Sequence, residues 1–281
     1  NYRGFFLYNY LKKKKFISIK KLYLGKKYLN RKIQTLLKKK NYKIIDDINS
    51  VSLPKEIKKL KIDFIIIAGF HYILKNKLIN SPKCCTINLH GGRVPNYKGG
   101  SPLHWQIINN EKNFYLSILK VDEGIDTGKL LLEKKFLLKK NYDINKVKQI
   151  ADKHFPLMAE KVILKILDGT QRYINQNSIN IKKNYFKQRK PQDGKINWKK
   201  KNNLQIYNLI RATTTPYPGC FSFFGKKKIV FLKSKTSSKN FINKKTGQVF
   251  IKRKKIFIKC KKGFIQILKY KGNLKNNQIL L

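Results

Sequence analysis

Acidic residues are scarce: 14 Asp and Glu stand against 65 Lys and Arg, leaving a net charge of +51. Such an excess points toward polyanionic partners such as RNA. The excess lies in Lys, however, and Arg, the better phosphate fork, is far less common. Abundant Asn, Ile, Tyr and Phe accompany it, the set read from A/T-rich codons, so charge alone decides little about function. Cysteine is limited to Cys84, Cys85, Cys220 and Cys260. None has CxxC spacing, so neither a zinc site nor a dithiol redox motif is expected, and reduced thiols are. Long apolar runs are missing too. The longest lies near Phe64–Ile67, far short of the ~18 residues of a membrane span. No basic segment followed by an apolar one opens the chain, so a secretory leader is not expected and a cytoplasmic location is. The first residue is Asn1 rather than Met, which reads as a trimmed or partial chain.

What is present is enough for a core. The chain has 281 residues, 41% of them hydrophobic, which suggests two domains at about 150 residues each. Residues 1–80 alternate strand and helix signals. Phe16–Leu24 and Tyr42–Ile45 are β-rich, and Arg31–Lys40 carries Ile33, Leu36 and Leu37 on one helical face. Leu53–Leu60 reads as a helix with Pro54 at its first position, and Lys61–Ala68 as a buried strand ending at Gly69. This alternation predicts a Rossmann-like parallel sheet covered on both faces. Strands are expected at Cys85–Leu89, Phe114–Val121 and Leu130–Leu137, and helices at Pro102–Asn109, after a Ser101 cap, and at Ile144–Leu167. A basic stretch around Pro191 and Gly194 reads as a linker. Beyond a helix at Leu204–Ala212, short strands at close spacing predict a small OB-like β-barrel. The expected division is a catalytic domain over 1–181, a linker over 182–203 and a barrel-like domain over 204–281.

The chemistry is concentrated between Cys85 and Gly128. Asn88 and His90 are two apart on a strand, so they share a face, and they sit at the carboxyl end, where open α/β sheets place ligands. A glycine-rich loop follows (Gly91, Gly92, Gly99, Gly100), then Asp122-Glu123-Gly124-Ile125-Asp126-Thr127-Gly128. A carboxylate in that turn can reach His90. An amide, an imidazole and a carboxylate at one place suit acyl transfer to an amine. Such an amine must lose a proton as it attacks. His90 would handle it, Asp126 would orient His90, and Asn88 would stabilise the oxyanion. A single His is more often a structural hydrogen bonder, and His104 and His154 lack such company. His71 is read as structural, with pocket lining as the other reading.

The stretch INLHGGRVPNYKGGSPLHWQIINNEK followed by VDEGIDTG resembles the formyltransferase family, which includes methionyl-tRNA and amino-sugar formyltransferases. The family's Asn-x-His and distant Asp fall on Asn88, His90 and Asp126, the Asp 36 residues after the His. IDFIIIAGFHYIL resembles the segment that lines the folate pocket. The resemblance implies a 10-formyltetrahydrofolate donor, held by Gly69, Phe70, Tyr72 and Leu74 and by Val121, Asp122, Glu123, Gly124 and Ile125, and no metal. RKPQDGKINW and IYNLIRATTTPYPGCFSFFGKKKI resemble the inter-domain segment and the start of the second domain. Two departures stand out. Gly92-Arg93-Val94-Pro95 replaces the family's Ser-Leu-Leu-Pro, and Asn1–Gly4 would be the end of a loop whose preceding first strand is missing.

The acceptor is the open question. The tRNA enzymes resemble one another in a basic insertion after the second strand, whereas Leu24 here runs through Gly25-Lys26-Lys27 almost directly into a helix. That favours an amino sugar on a nucleotide, with Arg93, Tyr97 and Lys98 as candidate acceptor contacts. Methionyl-tRNA remains the alternative on charge. A homodimer is a further expectation. A non-catalytic RNA-binding protein and a formyl-folate hydrolase are the other readings.

Overall fold

In the computed structural model, residues 2–25, 35, 42–45, 47–70, 72–239 and 241–281 are described. The helix expected at Arg31–Lys40, the Lys26–Lys27 junction and His71 lie outside them. The elements run α1 (Tyr2–Leu11), β1 (Leu22–Gly25), β2 (Tyr42–Ile45), α2 (Ser52–Lys59), β3 (Phe64–Ile67), α3 (Asn76–Ile79), β4 (Cys85–His90) and β5 (Lys98–Gly99). Then come α4 (Pro102–Ile108), β6 (Asn113–Lys120), β7 (Leu130–Leu137), α5 (Ile144–Leu167) and β8 (Tyr185–Phe186). The remainder is α6 (Asn203–Thr213) and five strands, β9 (Cys220–Phe224), β10 (Lys227–Ser237), β11 (Val249–Lys252), β12 (Lys255–Lys259) and β13 (Phe264–Lys271). No described helix is long and apolar enough to cross a membrane.

The chain forms two compact units, each from three segments: 1–99, 115–135 and 149–185, and 100–114, 136–148 and 186–281. The sequence-based division cuts the chain into continuous stretches. Compactness instead groups segments 100–114 and 136–148 with the C-terminal residues.

In the first unit, β3 and β4 pair in parallel, with Ile67 beside Asn88. β4 then pairs antiparallel with β6, His90 facing Ser117. β6 and β7 form a hairpin closed by Lys120 N–H to Lys129 O (2.9 Å). The sheet, order β3-β4-β6-β7, is therefore mixed rather than purely parallel. A short connection permits a hairpin, whereas a parallel return needs a crossover. β4 is buried along nearly its whole length, as a strand with neighbours on both edges requires. β1 and β2 pair in parallel as a separate two-stranded sheet. A cavity of about 470 Å³ is lined by both β1 and β3 and by Tyr8 and Leu11 of α1. Of the residues expected as a loop end, Tyr2, Arg3 and Gly4 instead open a helix over Tyr2–Leu11. Pro54 sits third in α2 rather than first, still within the turn whose N–H groups lack intrahelical partners.

The second unit is an antiparallel sheet of order β11-β12-β13-β10-β9 with α6 against it. The tail joins its two edges. Val249 exchanges backbone bonds with Asn277 and Gln278 at one edge, and Phe223 exchanges two with Leu281 at the other. Those bonds wrap the sheet into the expected OB-like barrel. Its interior holds Trp198, Ile206, Phe231, Ile258 and Ile265, all buried. Trp198 meets Phe231 edge-on at 5.7 Å and donates its indole N–H to Ser222 Oγ at 2.9 Å. Ser101 precedes α4 but does not cap it: it is left-handed (φ 53°) and makes no capping bond. Its hydroxyl accepts from Arg189 N–H instead.

Candidate active site

The site is built on the carboxyl end of β4. Strand alternation turns Asn88 and His90 to one face, and both reach the same carboxylate. Asn88 Nδ2 donates to Asp126 Oδ1 at 3.0 Å. His90 Nδ1 lies 3.3 Å from Asp126 Oδ2. Gly99 N–H donates to that Oδ2 at 2.9 Å. Gly99 has φ 91°, a conformation open to glycine and costly for other residues. Asp126 itself is left-handed, with φ 54°. The three residues expected from sequence are thus brought together within one hydrogen-bond network.

The imidazole is held at both nitrogens. Its Nε2 lies 2.6 Å from the Tyr97 carbonyl oxygen. A carbonyl can only accept, so Nε2 carries a proton and donates it. His90 is buried. Behind it, Arg3 Nη1 of α1 donates to the Leu89 carbonyl at 3.2 Å, and the guanidinium lies over the Phe155 ring at 4.6 Å. The loop after β4 is pinned by Ser117 Oγ, which donates to Gly92 O at 2.7 Å. Asn184 pins it again, accepting from Lys98 N–H and donating to Pro95 O and Asn96 Oδ1. Val94 packs with Leu119 and Leu130.

The turn that carries Asp126 is organised by Asp122, which accepts from Gly124 N–H at 3.2 Å and from Thr127 Oγ1 at 2.7 Å. Gly128 packs against backbone: a Cβ there would meet the Lys120 carbonyl oxygen at 1.8 Å. Gln176 reaches the same turn, donating to the Asp126 and Gly128 carbonyls. Neither Arg3 nor Gln176 stood out in the sequence. Each acts alone, far from any motif, and carries no local signal.

The two segments expected to hold a folate-type donor converge. Leu74 belongs to an apolar cluster with Ile45, Leu53 and Leu78, and Phe70, Tyr72 and Val121 pack on it. The Phe70 and Tyr72 rings lie 5.0 Å apart. Ile73 and Ile125 are left exposed on the same two segments. A pterin is a flat heteroaromatic ring with a polar edge, so aromatic and branched aliphatic side chains fit its two faces. Gly69, Asp122, Glu123 and Gly124 lie on these two segments. No described cluster of three or more His, Cys, Asp or Glu could hold a metal ion.

The expected acceptor contacts divide. Arg93 lies 3.7 Å from Glu133 and over the Tyr115 ring at 4.9 Å. Burial pushes the Glu133 carboxyl up, against the pull of Arg93. The Tyr97 ring is buried, so it presents no open stacking face. Lys98 lines a cleft of about 530 Å³ together with Lys120, Lys129, Lys183, Thr127 and Gln176. That cleft lies against Thr127 and Gly128, directly after Asp126.

Comparison with known proteins identifies the family. Residues 18–160 match the family described as formyl transferase, and residues 189–278 match its C-terminal domain. The bifunctional polymyxin resistance protein ArnA of Wigglesworthia glossinidia brevipalpis is 34% identical over 69% of this chain and 29% of its own. The methionyl-tRNA formyltransferase of Thermodesulfovibrio yellowstonii is 32% identical over 66% of this chain and 59% of its own. The chain thus spans less than two thirds of the length of these relatives. The solved structure of WlaRD, a sugar 3N-formyl transferase determined in the presence of dTDP and 5-N-formyl-THF, shares the fold, with TM-score 0.67 and 22% identity over 97% of this chain and 95% of that one. With both domain matches in register along its length, the chain belongs to the formyl transferase family.

Proposed function

We propose that this protein moves a formyl group from a 10-formyltetrahydrofolate-type donor to a primary amine, and that the amine is carried by a nucleotide-linked amino sugar. The observation that carries the first part is the Asp126 carboxylate, held at once by Asn88, His90 and Gly99 N–H. When bound, the donor supplies an electrophilic formyl carbon; the chain supplies the groups around it.

The amide nitrogen of Asn88 has two hydrogens. One is given to Asp126, and the other serves the oxygen that gains charge as the amine adds, the oxyanion-hole role. His90 has Nε2 committed to Tyr97 and Nδ1 turned to Asp126. The carboxylate therefore receives the proton leaving the amine and passes it to the donor nitrogen that departs as its bond to the formyl carbon breaks, and His90 orients that carboxylate. A carboxylate offers about four acceptor positions; Asn88 Nδ2 and Gly99 N–H fill two and His90 Nδ1 lies beside a third, which leaves room for an amine N–H. This shifts the proton-handling role from His90 alone to the His90–Asp126 pair. No Ser or Cys nucleophile is needed, because the amine is itself the nucleophile.

The sugar reading rests on the sequence, in which no basic insertion follows Leu24, and on the cleft of about 530 Å³ with Lys98, Lys120, Lys129 and Lys183 on its walls. That is room for a nucleotide, with cations for its diphosphate. The second reading, methionyl-tRNA as acceptor, is favoured by the net charge of +51.

A coupled assay tests both parts. Tetrahydrofolate release is followed with 10-formyltetrahydrofolate and either a panel of amino-sugar nucleotides or methionyl-tRNA. Turnover with a sugar amine, lost in His90→Ala, supports the proposal. Turnover with methionyl-tRNA alone keeps the chemistry and removes the sugar. No turnover with either, by folded protein, refutes it.

A further inference from the structure

Gln176 is buried, 5% exposed, in a segment with no motif. Its Nε2 donates to the Asp126 carbonyl at 2.8 Å and to the Gly128 carbonyl at 2.7 Å. Both partners can only accept, so the amide can face only one way. The two carbonyls bracket Thr127, and one nitrogen therefore clamps the whole turn. The segment bearing Gln176 is itself fixed. Leu130 and Ile174 exchange backbone bonds at 2.9 Å each way, and Asn175 caps the next turn by accepting from Asn177 N–H.

Two features show that this side chain does more than fill space. Its Oε1 is buried with no hydrogen-bond partner among the described residues. Such an orphan acceptor is unfavourable, and an apolar side chain of the same size would avoid it. The residue it grips, Asp126, is held at φ 54°, which side chains other than glycine rarely adopt. The clamp thus acts on the backbone of the residue whose carboxylate meets Asn88, His90 and Gly99.

We infer that Gln176 is a positioning residue that holds the Asp126 carboxylate in its working place. This rests on the reading of Asp126 given above, so the test includes an arm that needs no turnover. Gln176→Met keeps the volume and removes both donors. Gln176→Glu keeps the shape and turns an acceptor onto two carbonyls. Hydrogen exchange of the 122–129 amides is compared with the parent, and kcat and KM are measured separately. Loop exchange should speed up in both variants while the exchange of β4 and α5 stays unchanged. The value of kcat should fall about tenfold to a hundredfold, with KM for the donor within about twofold of the parent. In an Asp126→Asn background, Gln176→Met should cost less than about twofold more, because a group acting only through Asp126 has nothing left to position. Unchanged loop exchange, or the same loss of kcat in both backgrounds, overturns the inference. If the parent itself gives no turnover, the proposed function fails and loop exchange alone decides the role of Gln176.

Discussion

Adding one methyl group to Gly128 tests whether the Asp126 turn is as tightly determined as its contacts indicate. A Cβ at Gly128 would lie 1.8 Å from the Lys120 carbonyl oxygen and 3.0 Å from its carbonyl carbon. Carbon-to-oxygen contacts settle near about 3.3 Å, so the backbones must separate by roughly 1.5 Å. Neither partner can rotate away, since Val121 N–H, in the same peptide as the Lys120 carbonyl, is bonded to Thr86 O at 2.9 Å and Gly128 O to Gln176 at 2.7 Å. The movement must pass into the turn, two residues from Asp126. Its carboxylate contacts stand at 2.9, 3.0 and 3.3 Å, and an angstrom more takes each beyond hydrogen-bonding distance. Gly128→Ala should therefore lower kcat/KM about 10²-fold, which is about 2.7 kcal/mol of transition-state stabilisation. Lost turn bonds should add about 1 kcal/mol each of destabilisation. Steady-state tetrahydrofolate release gives the first figure and thermal unfolding the second. A variant within threefold of the parent in kcat/KM, with an unchanged Tm, would show that the carboxylate's position does not depend on the turn.

Removing the charge at the centre is the companion test. Asp126→Asn keeps the shape but removes the negative charge beside His90 and the carboxylate acceptor for Gly99 N–H, and turnover should drop by about 10²–10⁴. An activity loss under tenfold would assign the proton elsewhere. Asn88→Ala should lower kcat about 10²–10³-fold with little change in donor KM, and a pure KM effect would contradict the oxyanion role. In the second unit, burial, with Arg189 and Lys148 adding to it, holds His104 down at about 3 against an ordinary 6.5. The unfolded chain then takes the proton first, so stability is complete above about pH 6.5 and declines as pH falls toward 3. The decline is at most about 1.4 kcal/mol per pH unit. Urea titrations of His104→Gln should be flatter over that window than the parent, and parallel curves would refute the assignment. Phe231→Ala should cost about 3–5 kcal/mol of stability, because Phe231 is fully buried against Trp198; a loss under 1 kcal/mol by denaturant unfolding would mean that the barrel interior is not packed as described.

The sequence by itself singled out the residues that the structure brings together around Asp126, because the relevant geometry is local. Two residues apart on a strand share a face whatever the fold, so Asn88 and His90 had to act together once Cys85–His90 was extended. A turn rich in Gly and Asp had to follow β6, and Asp126 lies in it. The spans of β2, β7 and α5 were likewise legible in alternation or helical period within the segment itself. Other features depend on what the chain meets after it folds. The antiparallel pairing of β4 with β6 is decided by how the chain returns to the sheet, and periodicity is blind to direction. Ser101 has the chemistry of a cap, but a left-handed backbone and the Arg189 amide draw it away. The helix at Tyr2–Leu11 brings Arg3 to a carbonyl 86 residues away. Gln176 grips a turn 50 residues before it. The tail that closes the barrel pairs with strands at Phe223 and Val249. These bonds link segments far apart in the chain. Local propensity named the groups of the site, and only the tertiary structure decided which carbonyls and carboxylates they hold.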